Sequence, residues 1–258
     1  WPNAYKNNKT ALGKQLLENG STKFHYSKKE QRGYIDSINF KVNGESVKWA
    51  KEKTNIDICK IILNEPLLSG KTITITTPFH VKIPIGVFSR LGHIDQQYQI
   101  TQWYPKPAVY DANGWNQMPY LNQGEFYSEF GTYDVCITLP KNYVVGATGD
   151  YVDGEEELKW LNEKAAKTEE MGTNFPKDVL KFPPSDVETK TLHFHQENVH
   201  DFAWFCDKRY YVLKGEVELP HTKRIVTTWS MFTGSERKVW SKSIKYLNDA
   251  IYYYSLWN

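Results

Sequence analysis

The chain has 258 residues, enough for one large or two ordinary domains with a sizeable core. Apolar residues make up 40% and charged residues 24%, which excludes a disordered or fibrous chain. The formal net charge is +2 and no Lys/Arg block stands out, so nothing argues for a nucleic-acid partner. No apolar run approaches the roughly 20 residues of a membrane helix, so no transmembrane segment is expected.

Aromatics reach 15%, with 17 Tyr and 9 Trp, residues whose apolar body and polar tip suit half-buried sheet faces and cleft walls. Cys59, Cys136 and Cys206 are odd in number and far apart, and they read as free thiols rather than a disulfide framework. Asn8 and Asn19 open Asn-x-Ser/Thr triplets, which matter only in a eukaryotic secreted chain. The chain opens on WPNAYKNNKT, without Met or a signal peptide, and reads as a mature or trimmed product.

Along the chain, residues 10–19 have helical spacing with a hydroxyl start and Gly20 as the stop. Strand patterns follow at 34–42, with Ile35, Ile38 and Phe40 as inward candidates, and at 55–63 and 71–84. Asn43-Gly44 and Ser69-Gly70 mark turns between them. Residues 133–140 and 143–149 predict two more strands. Short strands with Gly and Pro between them predict a mainly antiparallel β-domain. Residues 153–170 predict a charged, solvated helix, and GTNFPKDVLKFPPSD after it predicts a Pro-broken loop. Residues 189–196 return to strand, VHDFAWFCD predicts a helical turn or tight connection, and RYYVLKGEVEL and RIVTTWSMF predict strands. The last segment, 235–257, predicts one long amphipathic helix with Val239, Ile244, Leu247 and Ile251 on its apolar stripe.

Residues 99–149, QITQWYPKPAVYDANGWNQMPYLNQGEFYSEFGTYDVCITLPKNYVVGATG, resemble the N-terminal domain of the gluzincin aminopeptidases, the family of aminopeptidase N. The likeness is to that family's bacterial branch. ENVHDFAWFCDKRY at 197–210 is similar to the branch's "NVHDFAW" segment, and WPNAYKNNKTALGKQ is similar to its "PNAYKN-TAL" stretch. The resemblance implies a saddle or sandwich of antiparallel strands resting on a thermolysin-like α/β catalytic domain. It places the N-terminal β-domain at 1–212, with a helical and loop insert near 153–187. It places the first strands and long helix of an incomplete catalytic domain at 213–258.

In that family zinc is held by HExxH on one helix and a Glu on the next. Two His at i and i+4 share a helix face, zinc lowers the pKa of its water, and the Glu is the general base. A GxMEN strand recognises the free amine of the peptide. None of His25, His80, His93, His193, His195, His200 and His221 belongs to an HExxH, and no GxMEN occurs. The resemblance therefore implies a chain cut before those motifs, with clipped strands at its start. No catalytic residue and no metal ligand is assigned here. Zinc would belong to the parent enzyme, and none is expected on this segment. The implied partners are peptide substrates and the catalytic domain of the same chain. Relatives in this branch are often exported, which tilts the expected compartment towards the periplasm or cell envelope.

The family also takes a Gln or Glu from the N-terminal domain to help bind the substrate amine, a few residues before an aromatic-Pro element, here Tyr104-Pro105. Counting back reaches Gln96, with Gln97, Gln99 and Gln102 as close competitors, and any of these amide oxygens can accept from an ammonium. The candidate substrate-binding residues are therefore Gln96, Gln102, Gln99 and Tyr104. Trp103, Tyr104, Trp115, Tyr120, Phe126 and Tyr127 suit either a cleft wall or core packing. His193-x-His195, with Glu197 and His200 near in sequence, has metal-like spacing but reads first as sheet-face histidines. Asp111 and Glu125 suit ion pairs or loop caps. Gly146 and Gly149 serve turns or close approach, since VVGATG lacks the Lys of a phosphate loop. Two other readings compete: a stand-alone β-sandwich module binding peptide or carbohydrate through its aromatics, and a scaffold domain without a ligand.

Overall fold

The structure is a computed structural model that describes residues 1–124, 126–172 and 181–257. Glu125 and the part of GTNFPKDVLKFPPSD at 173–180 lie outside the described residues. The fold is mainly β, built from small antiparallel sheets, and the chain divides into two compact units. One comprises Trp1–Thr132 with Asn198–Trp204, the other Tyr133–Glu197 with Phe205–Asn258.

The first unit opens with helix α1, Ala11–Glu18. Thr10 caps its N-terminus: the hydroxyl accepts from the Gly13 N–H at 3.3 Å and donates to the Ala4 carbonyl at 2.7 Å. At the other end Gly20, at φ +80°, lets the Ser21 N–H turn back to the Leu16 carbonyl at 2.8 Å. Strand β1 (Tyr34–Asp36) pairs with β7 (His80–Lys82), while β2 (Lys41–Val42) lies between β3 (Glu45–Ser46) and β6 (Ile75–Thr76). Strands β4 (Lys48–Lys51) and β5 (Cys59–Ile62), β8 (Gly92–Ile94) and β9 (Gln97–Ile100), and β10 (Val109–Asp111) and β11 (Gly114–Asn116) form antiparallel pairs. The single strand expected over 34–42 is divided, because Ser37 takes a positive φ of 57° and turns the chain. Of its inward candidates, Ile35 and Phe40 are buried. Tyr5, Leu12, Leu16, Phe24, Phe88, Leu91, Ile100 and Tyr120 form this unit's core, with Trp103, Phe126 and Trp204 packed against it. Each such large side chain gains about 1.5–3 kcal/mol on burial.

In the second unit β12 (Gly131–Pro140), β15 (Thr189–Val199) and β14 (Asp150–Tyr151) form a sheet in that order, and β13 (Val144–Ala147) runs beside β16 (Trp204–Asp207). Helix α2, Glu155–Glu170, carries three glutamates in its first turn, where the helix dipole favours them. The helix is not wholly solvated. Leu161 and Ala165 join Val144 and Val212 in a core bordered by Trp160, Trp229 and Met231. Strands β17 (Tyr211–Glu218) and β18 (Ile225–Phe232) form an eight-residue ribbon. Residues 235–257 are not one helix: α3 (Arg237–Trp240) ends before α4 (Ser243–Trp257) begins. Tertiary anchoring sets the restart, since the buried Ser243 hydroxyl donates to Ser230 Oγ at 2.6 Å. Asn248 ties α4 to the ribbon through Thr228 and the Glu216 carbonyl, and Gly215 admits it: a Cβ there would stand 2.4 Å from Ile244 Cγ2. VHDFAWFCD also departs from the expected helical turn or tight connection, since its second half is strand β16. Trp204, Phe205 and Cys206 are extended because ladder bonds there outweigh any local helical preference.

Candidate functional site

The candidate site lies in the first unit, around Asp201. Its carboxylate collects donors from a segment about a hundred residues earlier in the chain. Tyr104 Oη donates to Oδ1 at 2.7 Å, Gln102 Nε2 to Oδ2 at 3.2 Å, and the Phe202 N–H to Oδ1 at 2.9 Å. Lys106 Nζ stands 3.8 Å from Oδ1 and donates to the His200 carbonyl. Trp103 Nε1 donates to the Phe202 carbonyl at 3.2 Å. The Gln-Trp-Tyr-Pro-Lys string and the His-Asp-Phe-Ala string are thus joined by two side-chain pairs, from Gln102 and Tyr104 to Asp201, and two side-chain-to-backbone bonds, from Trp103 and Lys106. Charge-assisted hydrogen bonds of this kind are the stronger ones.

Gln102 and Tyr104 therefore meet at one carboxylate. Gln102 sits at φ +45°, a strained backbone for a residue with a Cβ. Its Nε2 is spent on Asp201, which turns Oε1 the other way, and that buried oxygen takes no donor from the protein. Gln99 lies elsewhere, on β9, with Nε2 donating to the Gly86 carbonyl at 3.4 Å. Gln96 is exposed in the turn before β9, and Gln97 opens the strand. Gln99 and Gln102 thus have different acceptors. Asp201 is the site residue that sequence reasoning left unassigned, although it stands inside the VHDFAW string. Its signal was a carboxylate enclosed by aromatic and apolar neighbours, a place where a charge needs partners.

The aromatics of the block divide. Tyr120 is fully buried, its ring centroid 5.3 Å from Tyr5 and 5.2 Å from Phe126. Trp103 joins the same core, so these rings are packing residues. Trp115 is 66% exposed and Tyr110 68%, and the two rings pack edge to face at 5.0 Å across the β10–β11 hairpin. Tyr127 and Phe130 are exposed too. Asp111 caps its own turn by accepting from the Asn113 N–H at 2.8 Å.

Among the described residues no group of three or more His, Cys, Asp or Glu side chains could hold a metal ion. His193 and His195 do share a face, but each turns a ring nitrogen to Asp134, at 2.5 Å and 3.0 Å. His200 stands apart, packed against the Phe130 ring. These residues do not fit a zinc centre. No described helix is long and apolar enough to cross a membrane.

No protein-family model matches the sequence. No curated protein matches it either. Among solved structures, a mutant of a two-domain M1 zinc metallopeptidase bound to L-arginine is similar at 13% sequence identity and a TM-score of 0.43. The match covers 78% of this chain and 38% of that one, so the chain spans less than half of that structure's length. The relationship is a distant structural likeness.

Proposed function

We propose that this chain is the non-catalytic β portion of a zinc-dependent aminopeptidase, which borders the substrate cleft and helps receive the amino end of a peptide. One observation carries the reading. The three separate strings that resemble the aminopeptidase N family enter one core: Ala4, Tyr5 and Leu12 from the first, Ile100, Trp103, Tyr120 and Phe126 from the second, and Trp204 from the third. Segments that act as one unit are expected to be kept together. The amine contact is Gln102, whose carbonyl oxygen lacks a protein donor, with Tyr104 and Asp201 holding its surroundings. Zinc and the hydrolytic step belong to residues outside this chain.

The test has two parts. The coding sequence after Asn258 should carry GxMEN and HExxH; a stop codon or an unrelated domain there sinks the reading. The chain itself should leave aminoacyl chromogenic substrates uncleaved, while the longer product cleaves them in a chelator-sensitive way. In the longer product Gln102→Ala should raise KM with little change in kcat. Unchanged kinetics across alanine variants of Gln96, Gln97, Gln99 and Gln102 would remove the amine contact.

The exposed Tyr110–Trp115 pair favours a second reading, a peptide- or carbohydrate-binding module that stands alone. Oligosaccharide or peptide binding abolished by Trp115→Ala, with no metallopeptidase motifs downstream, would establish it instead.

A further inference from the structure

Helix α2 carries a charged stripe that the proposed function does not use. Glu157, Trp160, Lys164 and Lys167 recur at steps of three, four and three residues, so they share one face of the helix. Lys190 on β15 reaches the same face, with Nζ 4.0 Å from the centre of the Trp160 ring. Lys164 Nζ stands 4.8 Å from the centre of that ring, so two ammoniums share one indole. Lys190 gives two N–H groups to Glu157, at 2.7 and 2.8 Å, and keeps a third. The half-buried Lys164 ammonium has no hydrogen-bond acceptor among the described residues. Its charged neighbours are Lys190 and Lys167, which repel it, and Glu157, whose pull is the smallest of the three.

We propose that Lys164 is a site of carbon dioxide uptake, where the side-chain amine forms a carbamate held by the ammoniums of Lys190 and Lys167. In the free base the nitrogen lone pair attacks the carbon of CO2. An N–C bond forms, one C=O π pair moves onto oxygen, and a nitrogen proton leaves to solvent. Three ammoniums facing one carboxylate thereby become two ammoniums facing two anions, and Coulomb attraction stabilises the product. Acetylation or carbamoylation would leave a neutral amide or urea there, to which Lys190 and Lys167 add nothing; the flanking charges therefore favour the carbamate. Burial, then Lys190 and Lys167, lower the Lys164 ammonium below its ordinary value, which raises the share of free amine at a given pH.

The test traps carbamates on the whole chain. The chain is equilibrated with isotopically labelled bicarbonate and carbon dioxide at pH 8, alkylated with a trialkyloxonium salt and digested, and each lysine is read by mass spectrometry. Lys164 should carry about ten times the label of the exposed Lys53 and Lys71. Lys167→Gln removes one exposed cation and should lower the carbamate at Lys164 about threefold, while its acetylation by a trace of acetic anhydride falls by less than about twofold. Label spread evenly over the lysines overturns the proposal. So does a carbamate-to-acetyl ratio at Lys164 that does not fall in Lys167→Gln, which would make Lys164 a reactive amine and nothing more.

Discussion

Tyr104 and Asp201 are 97 residues apart in sequence, and the phenol donates to the carboxylate at 2.7 Å. The same carboxylate also holds Gln102, Phe202 and Lys106, so one acidic side chain fixes the course of two loops. Asp201→Ala leaves these donors without their acceptor and should cost about 2–4 kcal/mol in urea unfolding. Tyr104→Phe should cost about 1 kcal/mol, and the double variant should show a coupling of about 1 kcal/mol. Additive losses would mean that the pair does not interact in solution.

A second prediction concerns the Glu157–Lys190 pair, joined at 2.7 and 2.8 Å with both side chains largely buried. Burial raises the Glu157 carboxyl above its ordinary value and lowers the Lys190 ammonium, each offset in part by the other. Lys190→Met strands the carboxylate and should cost about 3 kcal/mol at pH 7. A carboxyl whose folded pKa lies above its unfolded one binds protons more readily when folded. The deficit should therefore shrink as the pH falls from 7 to 5. Adding Glu157→Leu should restore stability to within about 1 kcal/mol. A deficit that grows on acidification would contradict the assignment.

The cysteines should separate by accessibility. Cys206 is buried and its thiol is pushed up to about 12, so at pH 8 about one part in ten thousand is thiolate. Cys59 and Cys136 are exposed. A chromogenic disulfide reagent should titrate those two thiols in the native chain and the third only in denaturant. Rapid reaction of all three would show that β16 opens easily.

Thr10 should be costly to change for its size. Its hydroxyl serves the Gly13 N–H and the Ala4 carbonyl together, so Thr10→Ala should lower stability by about 1–2 kcal/mol. Thr10→Ser keeps the oxygen and should recover most of that loss. Equal losses for both would point to the methyl group instead.

Several elements were legible in the sequence because their causes are local. Thr10 and Gly20 bound α1 through a cap and a positive-φ turn, and both signals lie within the segment itself. The alternation in YDVCITLP gives β12 with Ile137 and Leu139 buried, because a half-buried strand must repeat every two residues. The antiparallel, mainly β character follows from many such short runs. By contrast, VHDFAWFCD has no periodicity of its own and becomes strand only where a neighbouring strand offers hydrogen bonds. The break between α3 and α4 likewise answers to Ser230 and the β17–β18 ribbon, which lie outside the helical segment.

The sequence by itself determined the absence of an HExxH string, a matter of residue type and spacing, while the candidate residues near Tyr104-Pro105 are what the resemblance implied. Only the tertiary structure decided that Gln102 and Tyr104 share an acceptor while Gln99 turns to Gly86. It also decided that Tyr120 is core while Trp115 faces solvent, and that His193 and His195 are bound to Asp134. The physical reason is the same in each case. A side chain's chemistry is set by what stands within about 3 Å of it, and over separations of tens of residues only the folded chain supplies that neighbour.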